Sequence, residues 1–324
     1  MVDVLTRDEA AVAPQILALG EAMVEFNCTG EGEGRLYLQG FGGDTSNFAI
    51  AAARQGARVG VLGALGDDAN GRMLRALWDA EGVDHRQVRS DTAAYTAIYF
   101  VSHGERGHEF SFFRQGSAAS RMRPADLPRA ALAAARVLHL SGITLAISDT
   151  ACDTAHAAID IARAAGVAVS FDTNLRLKLW PLARARALIH DLIGRSDICL
   201  PSLDDLQALT GLSDADAIAD HCLRLGAHTV ALKLGAAGAL LADAHERHRI
   251  APHPSRCVDA TGAGDTFGGA FVARRLAGDS LLDAGRYAAV AAALSTEGFG
   301  AVAPIPRADA VRRALQSAKD KNDE

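Results

Sequence analysis

The stretch Asp259-Ala260-Thr261-Gly262-Ala263-Gly264-Asp265 decides how this chain reads. It opens into an apolar run, Thr266 to Leu276, and so stands at the start of a helix. Gly262, Ala263 and Gly264 are small enough for a tight backbone turn that keeps side chains away from an approaching group. The amides of Ala263, Gly264 and Asp265 are then expected to face outward, where aligned N–H groups attract a phosphate or a developing oxyanion. Asp265 stands in the same turn, and an anion does not help to bind another anion. Accepting a proton from an attacking hydroxyl is the role that suits it. An anion hole beside a base describes phosphoryl transfer from a nucleotide to an alcohol. An ordinary Gly-rich helix start, with an Asp favoured by the helix dipole, has the same letters, so the rest of the chain must separate the two. No Gly-Lys-Ser/Thr follows, which excludes a Walker loop. The unit also sits at the wrong end of the chain for a dinucleotide fingerprint, with no acidic residue placed for a ribose.

With 324 residues, 49% hydrophobic and 22% charged, the chain can build one large α/β domain, or one domain with a small insertion. The net charge of −6 and the lack of a basic tract speak against nucleic acid or an anionic membrane as partners. The five cysteines, Cys28, Cys152, Cys199, Cys222 and Cys257, are scattered, odd in number and without a CxxC pair. That usage predicts free thiols and a reducing, cytoplasmic location. Residues 1–14 carry Asp3, Arg7, Asp8 and Glu9 and read as a loose tail rather than a signal peptide, with a single domain over 15–324. No apolar run is long enough to span a bilayer.

Strand-like and helix-like segments alternate along the chain. Ile16–Leu19, Arg58–Leu62, Val137–Leu140, Val167–Phe171, Ile198–Leu200 and Val230–Leu234 read as strands. Between them, Ser46–Gln55, Gly71–Glu81, Thr150–Ala165, Leu203–Thr210 and Ala215–Leu225 read as helices, several stopped by Gly; Gly264–Ala277 and Leu281–Glu297 follow as two more. Buried strands joined by crossover helices predict a mostly parallel central sheet with helices on both faces. Two segments break the rhythm. Met23–Leu38 holds Gly30, Gly32 and Gly34 between short strand-like pieces. Tyr95–Phe113 alternates β-type residues around the turn His103-Gly104-Glu105-Arg106-Gly107. Together, over about 21–40 and 93–115, they predict a small antiparallel β lid able to close over a ligand. An exposed lid sheet is also a surface on which a second copy of the chain could pair, giving a homodimer or a higher homo-oligomer.

Polar residues gather at the predicted strand ends, where open α/β sheets bind ligands. In Phe41-Gly42-Gly43-Asp44-Thr45-Ser46-Asn47 the glycines permit close backbone approach, while Asp44 and Asn47 suit sugar hydroxyls. Another group is Asp172-Thr173-Asn174-Leu175-Arg176, and Arg114 follows the lid hairpin. Neutral hydroxyls need no cation, so two arginines at a sugar site point to a carboxylate on the substrate. A pairing of each arginine with a structural carboxylate, or exposure to solvent, is the competing reading.

These motifs resemble the ribokinase/PfkB carbohydrate kinase family, from about Gly20 to about Pro306. Gly42-Gly43…Asn47 is similar to its N-terminal signature, Gly63-Ala64-Leu65-Gly66-Asp67-Asp68…Gly71 to the motif that follows, and Asp259–Asp265 to its C-terminal signature. Gly20-Glu21-Ala22-Met23-Val24-Glu25, Phe41-Gly42-Gly43-Asp44-Thr45, Leu140-Ser141-Gly142-Ile143-Thr144-Leu145-Ala146-Ile147, and Phe171–Arg176 with Leu179-Trp180 are most similar to the 2-keto-3-deoxygluconate kinases within it. The resemblance implies a ribokinase-like α/β fold. It also implies ATP- and Mg²⁺-dependent phosphorylation of the terminal hydroxyl of a 2-keto-3-deoxy sugar acid. By residue, it implies Asp265 as the base and Gly262, Ala263 and Gly264 as the anion hole. Gly43, Tyr99, Arg114, Ile143 and Arg176 match substrate contacts, to which the strand-end reading adds Asp44, Asn47 and Asn174. Lys233, Gly235 and Gly238 match a nucleotide-binding turn. Asp259 and Thr261, with Gly298–Ala301, match a region that holds a monovalent cation such as K⁺ in some members.

Two departures stand out. Where the family often has Asn-x-x-Glu near metal and phosphate, this chain has Ser202-Leu203-Asp204-Asp205, so Ser202 replaces the amide and Asp205 keeps the carboxylate for Mg²⁺. Phe112 stands where the sugar-acid kinases tend to place Tyr, a lost hydrogen bond worth about 1 kcal/mol. His245-Glu246-Arg247-His248 reads as a solvated hairpin rather than a metal site, and Trp78 and Trp180 read as packing residues. The sequence therefore predicts a sugar-acid kinase. A fructokinase or another neutral-sugar kinase of the family is the alternative, and a non-catalytic sugar or nucleotide sensor is a third reading. Retention of Asp265 with its anion hole weighs against the sensor.

Overall fold

Along β1, Ile16–Leu19, successive side chains point to opposite faces of a sheet. Ile16 and Ala18 join one apolar cluster, Leu17 and Leu19 another, and all four are buried. A strand buried on both faces needs helices on both sides, and that is the architecture. The structure is a computed structural model and describes residues 13–29, 36–104 and 107–320. The remaining strands are β2 Met23–Cys28, β3 Tyr37–Gly42, β4 Val59–Gly66, β5 Val88–Asp91, β6 Ile98–Gly104 and β7 Gly107–Phe113. They continue as β8 Val137–Ser141, β9 Ala168–Asp172, β10 Ile198–Cys199, β11 Thr229–Lys233, β12 Ala239–Ala242 and β13 Arg247–Ile250.

Nine strands form the central sheet in the order β13-β12-β11-β10-β9-β8-β1-β4-β5. It is parallel from β5 to β11, and β12 and β13 add an antiparallel edge. One face is covered by helices Asp149–Ala164, Leu182–Gly194, Leu203–Thr210 and Ala215–Leu225. The other is covered by helices Asp44–Arg54, Ala69–Glu81, Ala263–Leu276, Leu281–Ser295 and Ala308–Asp320. Helix starts follow local chemistry: Asp68 accepts from the Gly71 amide at 2.7 Å, and Ser148 from the Ala151 amide at 3.0 Å.

Helix Leu182–Gly194 and the β12–β13 edge are absent from the alternation read in the sequence, and helix Leu281–Ser295 stops two residues earlier than expected. The His245–His248 segment is the solvated hairpin it seemed, and its second half opens the unexpected edge strand β13. Arg247 there reaches Asp216 at 3.0 Å and Asp220 at 2.5 Å on a neighbouring helix, which blunts an open sheet edge. Trp78 and Trp180 are core residues, 2% and 6% exposed.

The second sheet has the order β3-β2-β6-β7. Each hairpin is antiparallel, β2 with β3 and β6 with β7, and the two join through a parallel pairing of β2 with β6. That parallel seam leaves no mark in local sequence. One side buries Met23, Ala97, Tyr99 and Val101 against Phe110, while Tyr37, Leu38, Phe112 and Phe113 are exposed. Gly30, Gly32, Gly34, Glu105 and Arg106, and most of the expected tail, lie outside the described residues. Among the described residues, no helix is long and apolar enough to cross a membrane, and no disulfide joins any of the five cysteines.

Candidate active site

Asp265 owes its position to two helices that cross unusually closely. A Cβ at Gly269 would lie 2.5 Å from the Phe48 carbonyl oxygen and 2.8 Å from Ala51 Cβ, so only glycine lets helix Ala263–Leu276 sit this near helix Asp44–Arg54. The approach brings Asn47 Nδ2 to Asp265 Oδ2, to which it donates at 2.9 Å. Asn47 is 4% exposed, and its Oδ1 is buried without a hydrogen-bond partner. Its Nδ2 thus aims the carboxylate, a role that the reading of Asn47 as a contact to sugar hydroxyls did not include.

Gly262, at φ 76°, opens the helix, and its carbonyl accepts from the Thr266 amide at 2.9 Å. The three-amide anion hole is narrower than the sequence suggested. Ala263 N–H donates back to Ala260 O at 3.2 Å, which leaves the Gly264 and Asp265 amides at the helix opening. Lys233 Nζ lies beside this opening, 3.5 Å from where a Gly264 Cβ would stand. Lys233 also forms a 2.5 Å ion pair with Asp172 at the end of β9. Burial pushes the Asp265 carboxyl up to about 8; the nearby Asp44 charge adds to this, the Asn47 hydrogen bond opposes it, Asp172 raises it further and Lys233 lowers it. A carboxyl poised near neutrality beside free amides and an ammonium can take a proton from an alcohol while the amides and the ammonium receive an anion.

Asp44 stands in the first turn of its helix and accepts from Asn174 Nδ2 at 3.3 Å. Asn174 takes φ 31°, unusual for a side chain with a Cβ, and its amide donates to Asp172 Oδ1 at 3.1 Å. Gly43 precedes Asp44, and any Cβ there would overlap the Glu21 carbonyl oxygen. Ile143 is half-buried at the end of β8, its amide donating to Ser141 Oγ at 3.1 Å. These residues converge on the carboxyl ends of the central strands, as expected.

The lid-side residues are committed differently from their sequence reading. Tyr99, 4% exposed, donates its hydroxyl to the buried carboxylate of Glu25. Its ring stacks on Phe112 at 5.5 Å between centroids. Arg114 has a carboxylate partner within the chain: its Nη2 is 2.6 Å from Glu21 Oε2, with side chains 10% and 1% exposed. Arg114 Nε is buried without a hydrogen-bond partner. Arg176 is exposed, and its Nη1 donates to the Leu175 carbonyl at 2.8 Å. Arg114 is thus paired with a carboxylate of the chain and Arg176 faces solvent, the competing reading for each.

On the opposite side, Gly235 and Gly238 bracket the turn between β11 and β12, closed by Leu234 N–H donating to Gly238 O at 2.9 Å. Ser202 is a helix cap, its Oγ accepting from the Asp205 amide at 3.2 Å. Asp205 Oδ2 accepts from Thr173 Oγ1 at 2.8 Å and the Leu175 amide at 3.2 Å, so it pins the loop that carries Asn174. Asp259 Oδ1 accepts from Thr261 N–H and Oγ1–H at 2.9 and 2.6 Å, and Oδ2 from the Gly300 amide at 2.9 Å. It thus ties the turn that leads to Asp265 to the 298–301 loop. Among the described residues, no three His, Cys, Asp or Glu side chains are placed to hold a metal ion. The oxygen donors present suit a Mg²⁺ that arrives with nucleotide phosphates rather than one held in a protein cage.

Sequence reasoning missed Glu21, Glu25 and the structural weight of Asp172. A signal was available for the first two: carboxylates four residues apart, one just past an apolar strand and one within the next, have to find partners.

Comparison with known proteins agrees with this geometry. The model of the pfkB family carbohydrate kinase matches residues 13–308. A 2-dehydro-3-deoxygluconokinase from Thermoproteus tenax is 34% identical, across 95% of this chain and 97% of its own length. A probable fructokinase-4 from Arabidopsis thaliana is 32% identical, across 93% and 96%. Among solved structures, a putative ribokinase II from E. coli in complex with ATP and Mg²⁺ superposes with a TM-score of 0.86 at 26% identity, across 94% of this chain and 99% of that one. With this fold and this turn, the chain belongs to the pfkB family of carbohydrate kinases.

Proposed function

We propose that this kinase transfers the γ-phosphoryl group of ATP to the terminal hydroxyl of a 2-keto-3-deoxy sugar acid, 2-keto-3-deoxygluconate. The observation that carries the choice of acceptor is Arg114, whose side chain is 10% exposed and keeps a buried Nε without a partner. A cation so placed suits an acceptor that brings a carboxylate. The Thermoproteus tenax relative supports the same acceptor by its name, and the ATP and Mg²⁺ of the E. coli neighbour support the donor. Asp265, aimed by Asn47, accepts the proton of the attacking hydroxyl. The Gly264 and Asp265 amides and Lys233 receive the transferring phosphoryl group. Asp205 is the carboxylate placed to support Mg²⁺, which when bound offsets phosphate charge. The turn Lys233–Gly238 with Ser202 faces the nucleotide, and the Asp259–Thr261 loop is where K⁺ would act.

A neutral keto sugar such as fructose is the second reading. Glu21 already faces Arg114, and the Arabidopsis fructokinase is about as similar as the sugar-acid kinase. The test is a coupled ATP-turnover assay on 2-keto-3-deoxygluconate and fructose with wild type and Arg114→Ala. We expect wild type to favour the acid, and Arg114→Ala to lose about 2–5 kcal/mol in kcat/KM on the acid and far less on fructose. A wild type that prefers fructose overturns the acceptor assignment and leaves the kinase chemistry standing.

A further inference from the structure

Glu21 is a buried carboxylate on the sugar side of the cleft, and the proposed chemistry makes no use of it. It follows Gly20 at the end of β1, and its backbone carbonyl lies against Gly43. Its Oε2 is 2.6 Å from Arg114 Nη2, and its Oε1 accepts from Ser117 Oγ at 2.5 Å. Its side chain thus ties the end of the strand to Arg114 and Ser117 on the chain that follows β7, while its main chain packs against the Gly43 loop. Burial pushes its carboxyl up, while Arg114 and Ser117 hold it down. A buried carboxylate beside a buried guanidinium forms a unit of nearly zero net charge. The 2.6 Å contact is also poorly aligned, since neither Arg114 Nη2 nor Glu21 Oε2 makes a hydrogen bond of good geometry, and Arg114 Nε has no partner at all. The pair is therefore held together mainly by charge.

We infer that Glu21 is a specificity-determining positioning residue, which through its contact with Arg114 fixes the guanidinium and offsets its charge, and so sets how strongly the acceptor site prefers a sugar acid to a neutral sugar. This rests on the reading of Arg114 as an acceptor contact. Glu21 repels an incoming carboxylate and is indifferent to a hydroxyl, so its charge acts on the ratio of the two affinities rather than on binding in general.

The experiment is calorimetric binding of 2-keto-3-deoxygluconate and of fructose to wild type, Glu21→Gln and Ser117→Ala. Glu21→Gln keeps the shape and removes the charge; it should shift the affinity ratio toward the acid by about tenfold or more, with fructose changing by less than about threefold. Ser117→Ala keeps the charge and should move the ratio by less than about twofold. Adding Arg114→Gln to Glu21→Gln should abolish the gain. An unchanged ratio in Glu21→Gln, a shift toward fructose, or a gain that survives Arg114→Gln overturns the inference. Should Glu21→Gln fold poorly, Glu21→Asp withdraws the carboxylate by one methylene and must shift the ratio the same way by a smaller factor. The readout is binding, so a wild type that phosphorylates only fructose overturns the proposed acceptor while the Glu21→Gln ratio still decides this inference.

Discussion

The Asp265 side of the cleft rests on the main core, whereas the Glu25–Tyr99 side belongs to a two-hairpin sheet with four buried apolar residues of its own. Helix Ala263–Leu276 buries eight consecutive residues, Thr266 to Ala273, against helices and sheet. The lid sheet instead turns Tyr37, Leu38, Phe112 and Phe113 outward. A base must be held to a fraction of an ångström through the reaction, and dense packing does that. A surface that admits and releases substrate works better from an element with few buried contacts. The two sides should therefore respond differently to substitution.

The largest effect is expected at Asp265. Asp265→Asn should lower kcat by about 10² to 10⁴ while sugar and ATP binding persist. The same variant should be more stable than wild type at neutral pH. In the folded, ligand-free protein the carboxyl is raised to about 8 against an ordinary 3.8, mainly by burial. Its contribution to stability is thus full below about pH 4 and is lost as pH rises toward 8. Melting temperature against pH should show the advantage of Asp265→Asn growing over that window and vanishing below it. A constant advantage would mean that the group is not buried as a reluctant anion.

Next comes Gly269→Ala, far from any substrate. The new Cβ would meet the Phe48 carbonyl oxygen, Ala51 Cβ and the Ala52 amide nitrogen within 2.9 Å, and main chain cannot swing away. We expect about 1–3 kcal/mol of destabilisation by denaturant titration. Asn47 would be displaced from Asp265 as well, so kcat should fall up to about 10²-fold with little change in KM. Full activity in a destabilised variant would separate the helix crossing from the placement of the base.

Tyr99→Phe should have the smallest effect. It removes the hydroxyl donated to Glu25, a loss of about 1 kcal/mol. Because Tyr99 belongs to the small sheet, the change should appear in KM for the sugar and in a small fall of melting temperature, with kcat nearly that of wild type. A fall in stability matching that of Gly269→Ala would erase the contrast between the two sides.

The sequence by itself determined what depends on neighbours in the chain. The turn at Gly262–Asp265, the strand-and-helix alternation with its glycine stops and the aromatic hairpins of the lid all follow from local backbone preference and periodicity. Helices Leu203–Thr210 and Ala215–Leu225 have the limits the sequence predicts. Only the tertiary structure decided which polar groups meet. Asn47 and Asp265 are 218 residues apart, and Lys233 and Asp172 are 61 apart. Glu21 reaches Arg114 across the join between the two sheets, so an arginine that seemed free for substrate carries an internal counter-charge. The parallel β2–β6 seam is equally silent in local pattern. The physical reason is common to all of these. A side chain's residue type states what it must satisfy, a charge or a hydrogen bond, whereas its partner is chosen by how closely helices cross and in what order strands assemble. Those choices are made by the packing of the whole core, in which a single glycine such as Gly269 moves a catalytic group by more than its own locality can reveal.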